Sequence, residues 1–125
     1  MAGIKIDDLA SAVADALEGY RQDVADNLKR QVRNVAGETV QAIRSASPRD
    51  TGEYASGWTD KVAYESGEAL RMRVYNRKKP QLTHLLEHGH AKAGGGRVDG
   101  RPHIGPAEQA AERKLLGKAR VVVKG

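Results

Sequence analysis

Residues 7–46 read DDLASAVADALEGYRQDVADNLKRQVRNVAGETVQAIRSA. Apolar side chains recur in this stretch mostly three or four positions apart, which is the period of an α-helix. They are Leu9, Val13, Leu17, Tyr20, Val24, Leu28, Val32, Val35, Val40 and Ile43. No proline interrupts the stretch before Pro48, and Gly19 and Gly37 each cost only about 1 kcal/mol relative to alanine. The spacing therefore predicts one long amphipathic helix over about residues 7–46.

This predicted helix is too long for the size of the chain. At about 1.5 Å per residue it spans about 60 Å, whereas a compact domain of this length has a radius of gyration of about 14 Å. An apolar stripe is rarely left bare in water. We therefore expect either that the helix folds back near Gly19 or Gly37, or that it packs against other chains. The second alternative predicts a subunit of an assembly.

The composition limits the core and the chemistry. A length of 125 residues fits a single domain over residues 1–125. The chain has no phenylalanine and one tryptophan, so we expect a thin core, for which oligomerisation compensates. The absence of cysteine excludes disulfides and thiolate chemistry. The N-terminal residues lack the apolar run of a signal peptide and no later segment could cross a bilayer, so we expect a cytosol-like compartment and no membrane partner.

The net charge of +5 is unevenly distributed along the chain. Residues 1–26 contain six acidic and two basic side chains, and residues 27–49 contain one acidic and five basic. Residues 50–70 contain five acidic and one basic, and residues 71–103 contain two acidic and eight basic. Blocks of alternating sign indicate a subunit whose ends meet neighbours of different charge.

The residues after Pro48 predict a β-hairpin over about 57–76, because apolar residues there alternate with a period of two. Trp58, Val62 and Tyr64 are expected on one face of its first strand. Leu70, Met72 and Val74 are expected on one face of its second strand.

Four further elements complete the predicted fold. They are a short helix over about 80–88, a flexible glycine-rich loop over 91–100, a helix over about 106–117 starting at Pro106, and a strand over 120–124. The order of long helix, antiparallel hairpin, two shorter helices and C-terminal strand predicts an α+β fold.

The sequence His84-Leu-Leu-Glu87-His88 has the spacing of a zinc-hydrolase motif. Residues three and four apart project from one side of a helix, and His90 and His103 are candidates for a third ligand. However, the predicted helix is short and Gly89 ends it. We therefore predict no metal and no catalytic centre here, and keep a zinc-dependent hydrolase as a weaker alternative.

A basic cluster consists of Arg71, Arg73, Arg77, Lys78 and Lys79. Phosphates can be bound without sequence specificity by such charge alone, but no nucleic-acid-binding motif accompanies the cluster. We therefore predict a subunit interface or a channel-facing surface, with non-specific DNA contact as the alternative. The glycines at 94–96 lack the strand and helix that a phosphate-binding loop requires.

Three segments are more specific together than any of them alone. The first is Thr51-Gly52 followed by Gly57-Trp58, the second is Leu-Leu-Glu-His-Gly-His at residues 85–90, and the third is Arg-Pro-His-Ile at 101–104 followed by Pro-Ala at 106–107. In this order and approximate spacing they resemble the small tail-component or neck protein family of long-tailed bacteriophages, over about residues 40–118. In that family the segments typically read T-G-x-L followed by S-[IW], E-[FYH]-G-T and R-P-F-[LI]-x-P-A. The chain departs from this pattern at Tyr54, His90 and His103, where the family often has Leu, Thr and Phe.

The resemblance implies a structural protein of the virion without enzymatic activity or cofactor, made in the host cytoplasm. It implies a ring between the head-closure (connector) proteins and the tail-terminator or tail-tube proteins. The sixfold symmetry usual in tails favours a homo-hexamer, with a dodecamer as the alternative. The motif residues are interpreted as architectural: Thr51, Gly52, Trp58, Glu87, Gly89, Arg101, Pro102 and Pro106.

Overall fold

The computed structural model describes residues 6–49, 52–115 and 120–124. Its elements are α1 (Ile6–Ala46), α2 (Glu53–Ser56), β1 (Trp58–Glu65), β2 (Leu70–Asn76), a 3₁₀ turn (Pro80–Leu82), α3 (Thr83–His88), β3 (Gly89–Ala91), β4 (Arg97–Asp99), α4 (Ile104–Lys114) and β5 (Arg120–Val123). The predicted α+β class, with a long N-terminal helix, a hairpin, shorter helices and a C-terminal strand, is confirmed.

Of the residues of α1 whose burial the structure describes, which are residues 21–46, only those from Val32 onwards are buried in the core. Its buried apolar residues are Val32, Val35, Ala36, Val40 and Ile43. No residue of the preceding segment 21–31 is buried, and Val24 is 41% exposed. The helix is continuous through Gly19 and Gly37, so the alternative in which it folds back at a glycine is wrong. Among the described helices none is both long and apolar enough to span a bilayer.

The main sheet has three strands, with β2 in the centre. Strand β1 pairs antiparallel to β2, and β5 pairs parallel to β2 on its other side. Alternation places Leu70, Met72 and Val74 of β2 in the core together with Val121 and Val123 of β5. Helices α1 and α4 contact the sheet and each other, so the core lies between these helices and the inner face of the sheet.

A β-bulge in β1 changes the side on which its last residues lie. Val62 pairs with Met72, but the register shifts before Tyr64, which pairs with Arg71. Because one extra residue reverses the alternation of side chains, Tyr64 lies on the outer face. The prediction that Tyr64 shares a face with Trp58 and Val62 is therefore wrong.

The tip of the hairpin is held against α1 by polar contacts. Glu65 accepts hydrogen bonds from Lys29 (3.2 Å) and Arg33 (3.1 Å). Lys29 also donates to the carbonyl of Ser66, and Gln22 donates to the carbonyl of Gly67 at 3.2 Å. These contacts extend the contact between helix and hairpin towards the N-terminus as far as Gln22.

Residues 91–100 are more regular than the predicted flexible loop. Strands β3 and β4 form a two-stranded antiparallel ribbon in which His90 pairs with Val98. The three glycines at 94–96 lie in its turn, and Gly95 and Gly96 have positive φ angles of 96° and 81°. The prediction of a loop over 91–100 is therefore wrong outside this turn, because it missed strand pairing in segments of only three residues.

Helix α4 begins two residues earlier than the predicted start at Pro106 and ends at Lys114. Leu115 is already extended, with φ −111° and ψ 119°. The predicted continuation to Gly117 lies partly outside the described residues.

We predict that Gly37→Ala stabilises the protein by about 0.5–1 kcal/mol, because alanine favours the helix interior and a Cβ at Gly37 meets no atom within 4 Å. Chemical denaturation measures the change. Gly57→Ala is the contrasting variant, since its Cβ would lie 2.4 Å from Oδ1 of Asn76. A loss of stability in Gly37→Ala would contradict the prediction.

Candidate functional site

The carboxylate of Glu87 caps the N-terminus of α4. Its Oε1 accepts hydrogen bonds from the backbone N–H groups of His103 (2.8 Å) and Ile104 (2.9 Å), and its Oε2 accepts one from Gly105 (2.9 Å). The first N–H groups of a helix have no partner within it and carry partial positive charge. Glu87 satisfies three of these donors, which explains why α4 begins before Pro106.

The ring of His103 joins this cap to the core. Its Nδ1 lies 2.7 Å from the carbonyl oxygen of Arg101 and 3.0 Å from Oε1 of Glu87. Both neighbours are acceptors, so the hydrogen-bond pattern assigns the proton to Nδ1. In the neutral ring Nε2 is then free to accept from the hydroxyl of Tyr54, 2.6 Å away. Tyr54, Trp58 and His103 also contact one another edge to face, with ring centroids 5.5–6.1 Å apart.

Burial and charge shift two pKa values in this network. Burial raises the pKa of Glu87, but the N–H donors of Ile104, His103 and Gly105 outweigh it, so the pKa lies below its ordinary value. Burial, and then the negative charge of Glu87, raises the pKa of Tyr54 well above its ordinary value. Near neutral pH the site therefore contains an ionised carboxylate and an un-ionised phenol.

Two glycines allow the chain to cross itself beside the cap. A Cβ at Gly89, where φ is 82°, would lie 2.4 Å from the carbonyl oxygen of Val98. A Cβ at Gly100 would lie 2.5 Å from the carbonyl oxygen of Glu87. The backbone of Arg101 then donates to the carbonyl of Leu86 at 2.8 Å. The ribbon is thus fixed at its base to α3.

The histidines of the His84-Glu87-His88 motif do not act together with its glutamate. The rings of His84 and His88 are exposed, and their centroids lie 4.7 Å apart. Glu87 instead accepts hydrogen bonds from the three backbone N–H groups at the start of α4. Among the described residues no group of three or more histidine, aspartate or glutamate side chains is arranged to hold a metal ion. Glu87 is therefore not available as the general base that a zinc hydrolase would need. The absence of a metal centre stays a prediction.

The other motif residues lie at turns or in the core. Gly52 precedes α2 with a positive φ of 83°, and Trp58 is fully buried. Pro102 and Pro106 are exposed on either side of the α4 start. Thr51 lies outside the described residues.

The structure divides the predicted basic cluster between two places. Arg71 and Arg73 lie on the outer face of the sheet, where Arg71 is exposed and Arg73 is half-buried. Arg77, Lys78 and Lys79 lie in the turn after β2.

The turn after β2 is bound to α2. The side chain of Asn76 accepts from the backbone of Lys78 and Lys79. Lys78 donates to the hydroxyl of Ser56 at 3.0 Å, and Lys79 lies 3.6 Å from the carboxylate of Glu53. Two of the three cations in the turn, Lys78 and Lys79, thus contact groups of their own chain. Arg71 and Arg73 are therefore the better candidates for contact with another molecule.

Comparison with known proteins identifies the family. The family model described as "Bacteriophage HK97-gp10, putative tail-component" matches residues 11–89, which is more than half of the chain. The chain belongs to this family. The match covers α1 from residue 11, the hairpin and α3, and the third motif at 101–107 lies beyond it. Comparisons with curated proteins and with solved structures gave no significant match.

Sequence analysis missed the hydrogen bond between Tyr54 and His103, although it noted both positions. They are two of the three positions at which the resemblance implies a different residue, Leu at 54 and Phe at 103. A tyrosine and a histidine replacing two apolar residues at once is a signal that they contact each other.

We predict that Glu87→Gln destabilises the protein by about 1–3 kcal/mol at pH 7, because charge-assisted hydrogen bonds to the α4 N-terminus are lost. The pKa of Glu87 is lowered from 4.5 by folding, so its contribution is present above that pH and is lost as pH falls through the folded pKa. Between pH 3 and 7, the free energy of unfolding should fall less steeply with decreasing pH in the variant than in the wild type, as measured by denaturation. The exposed Glu112→Gln is the control, and equal slopes in the wild type and Glu87→Gln would contradict this role.

A double-mutant cycle tests the Tyr54–His103 pair. Tyr54→Leu or His103→Phe alone leaves a buried polar group without its partner, which costs about 1–3 kcal/mol. The double variant removes both groups, so we expect it to be less destabilised than the sum of the singles by about 1 kcal/mol or more. Additive losses would show that the two side chains stabilise the fold independently.

Proposed function

We propose that this tail component is a structural protein of the phage neck, where it forms a homo-oligomeric ring that joins or completes the head–tail interface. Family membership makes it a tail component. The neck position and the ring belong to the proposal, and a homo-hexamer is its preferred stoichiometry, with a dodecamer as the alternative. The expected neighbours are the head-closure or connector proteins on one side and the tail-terminator or tail-tube proteins on the other.

The observation that carries this proposal is that the described core contacts of α1 are confined to its C-terminal part. The helix has 41 residues, or about 60 Å at about 1.5 Å per residue, but its described core contacts begin at Val32. An amphipathic helix supported along only part of its length gains stability by packing against another chain. A ring supplies the same neighbour to every copy.

A non-enzymatic role is part of the proposal. The buried Tyr54–His103–Glu87 network holds elements together, and its carboxylate is occupied by backbone donors. The exposed pair His84 and His88 has no carboxylate from Glu87 to act as general base. These observations favour a structural protein over the zinc-hydrolase alternative.

The second candidate function is transient, non-specific contact with phage DNA. The outer face of the sheet favours it, because Lys61, Arg71 and Arg73 lie there together. Contacts to phosphates carry no sequence information and weaken steeply with salt. Such binding is compatible with DNA sliding through a neck and would require no other change to the proposal.

Deleting the gene tests the proposed function. We expect cells infected with the deletion phage to accumulate filled heads and complete tails that remain unjoined, and a plasmid copy of the wild-type gene to restore joined particles. Electron microscopy of the lysate counts the three species. Normal joining without the protein would contradict the neck assignment, and joined particles that fail only to deliver DNA would favour the DNA-contact role.

A further inference from the structure

Strand β1 has an edge whose backbone groups are not paired. The carbonyl of Gly57 accepts a hydrogen bond from the backbone N–H of Arg77, so it points towards β2. Because successive residues of a strand direct their backbone groups to opposite sides, the N–H and C=O groups of Asp60 and Val62 point away from β2. Within the described part of the chain these groups have no hydrogen-bond partner.

The free edge of β1 is short, because both of its ends are blocked. The carbonyl of Trp58 also points away from β2, and it accepts hydrogen bonds from Nε and Nη2 of Arg44 at 2.9 and 2.7 Å. At the other end the register shifts after Val62, and the bulge there interrupts regular pairing. The regular free edge therefore consists of residues 59–62.

Strand β5 forms the opposite edge of the same sheet. It also has four residues, Arg120–Val123, and among the described strands it pairs only with β2. The backbone N–H of Lys124 donates to the carbonyl of Val74 at 2.8 Å. By the same alternation, the backbone groups of Val121 and Val123 point away from β2. Each edge thus presents two residues, separated by one, for pairing with another strand.

The two edges match in direction and spacing. Strand β1 is antiparallel to β2 and β5 is parallel to it, so β5 of one copy and β1 of a second copy in the same orientation form an antiparallel ladder. Val62 then lies opposite Val121, and Asp60 opposite Val123, in hydrogen-bonded pairs. Within one chain Val62, Met72 and Val121 form a row across the sheet, and this pairing continues the row into the next copy.

Val62 is the apolar side chain that such a contact covers. It pairs with the buried Met72 on the inner face of the sheet, but it is 44% exposed. Cross-strand pairs of β-branched residues such as Val62 and Val121 stabilise an antiparallel ladder. An exposed valine beside unpaired backbone groups is the kind of edge to which another strand adds.

Pairing of β1 with β1 of a second copy is the weaker alternative. With Asp60 and Val62 as the pairing residues, that antiparallel ladder is centred on Lys61 and places two lysines directly opposite each other. Like charges in this position destabilise a ladder. A symmetric contact of this kind also stops at two copies, because both copies use the same edge.

We infer that β5 of one copy adds to the free edge of β1 of the next copy, so that the sheets of all copies form one continuous sheet. This inference rests on the proposed homo-oligomer, and the contact is additional to the support of α1 described above. It joins two different edges of one chain, which is the head-to-tail type of interface that closes into a ring. Main-chain hydrogen bonds hold such an added strand, and the side chains beside them set its register.

A sheet closed in this way has one face towards the channel. Helices α1 and α4 cover the inner face of the sheet, and a face that carries two helices per copy needs the larger circumference outside the ring. The opposite face, with Lys61, Arg71 and Arg73, then lines the channel. Six copies of a three-stranded sheet give about 18 strands, and closed sheets of about 16–18 strands enclose an aqueous channel.

Disulfide trapping tests the pairing directly, because the natural chain has no cysteine. In the inferred register Thr59 lies opposite Lys124 of the next copy in a non-hydrogen-bonded pair, with Cα atoms about 4.5 Å apart, which a disulfide can bridge. Within one chain these positions are two strands apart, or about 10 Å, which is too far. Oxidised particles with Thr59→Cys/Lys124→Cys should give a ladder of covalent oligomers up to the ring size on a non-reducing gel.

Three control variants check the register. Tyr64→Cys/Lys124→Cys moves one cysteine to an exposed position beyond the bulge, about 13 Å along the strands from its partner, so it should give no ladder. The single variants Thr59→Cys and Lys124→Cys should give no oligomers. A disulfide dimer of Lys61→Cys would show symmetric β1 pairing and would overturn the inference.

A charged residue on the edge provides a second test. Val62→Lys should lower the yield of joined particles by about tenfold or more, because a lysine on an edge strand opposes the addition of another strand. Val98→Lys is the matched control at a valine that is 38% exposed on the β3–β4 ribbon, and it should leave the yield unchanged. Thermal unfolding of both variants should stay close to that of the wild type, since both side chains are partly exposed.

The location of the protein separates the two proposals. A ring present in the neck of particles that give no ladder would overturn the strand pairing and leave the proposed function intact. A neck without the protein would overturn both.

Discussion

The packing of residues 32–43 of α1 against the inner face of the sheet is the contact on which the other elements depend. Leu70, Met72 and Val74 of β2 provide the sheet side, and α4 and β5 complete the layer. Because the chain has no phenylalanine, the described core is filled mainly by aliphatic side chains, together with the rings of Trp58, Tyr54 and His103. This core holds α1 at one end, so the remaining helix extends from a fixed base. That geometry supports the proposed assembly.

The cap made by Glu87 fixes the start of α4 relative to α3. It connects α3 to the start of α4, while Gly89 and Gly100 let the ribbon cross between them, and His103 transmits the connection to Tyr54 in the core. In these contacts the polar side chains of Glu87 and His103 bond to groups of their own chain. Arg71 on the outer sheet face is exposed, and Arg73 beside it is half-buried.

The sequence predicted those features that have a strong local period. The 41-residue helix, the hairpin and the α+β class follow from spacing alone. The family resemblance drawn from three short motifs is confirmed by the family match, which includes the first two of them. The predictions that were wrong concern features that depend on contacts between distant segments. The bulge before Tyr64 reverses the faces of β1 without a local signal, and the three-residue strands β3 and β4 are too short for alternation to be visible. The start of α4 is set by Glu87, 17 residues before Ile104. The spacing of His84 and His88 also gave no sign of the role of Glu87 between them, since its hydrogen-bond donors lie at the start of another helix.

The central claim is that copies of this protein form a ring in which each α1 is supported by the next copy. An electron cryomicroscopy map of the neck in intact virions tests it most directly. The account predicts six, or alternatively twelve, copies around the channel, with the N-terminal half of α1 packed against an adjacent subunit. A map in which the protein is present as isolated copies, or in which the N-terminal half of α1 contacts no second copy, would contradict it.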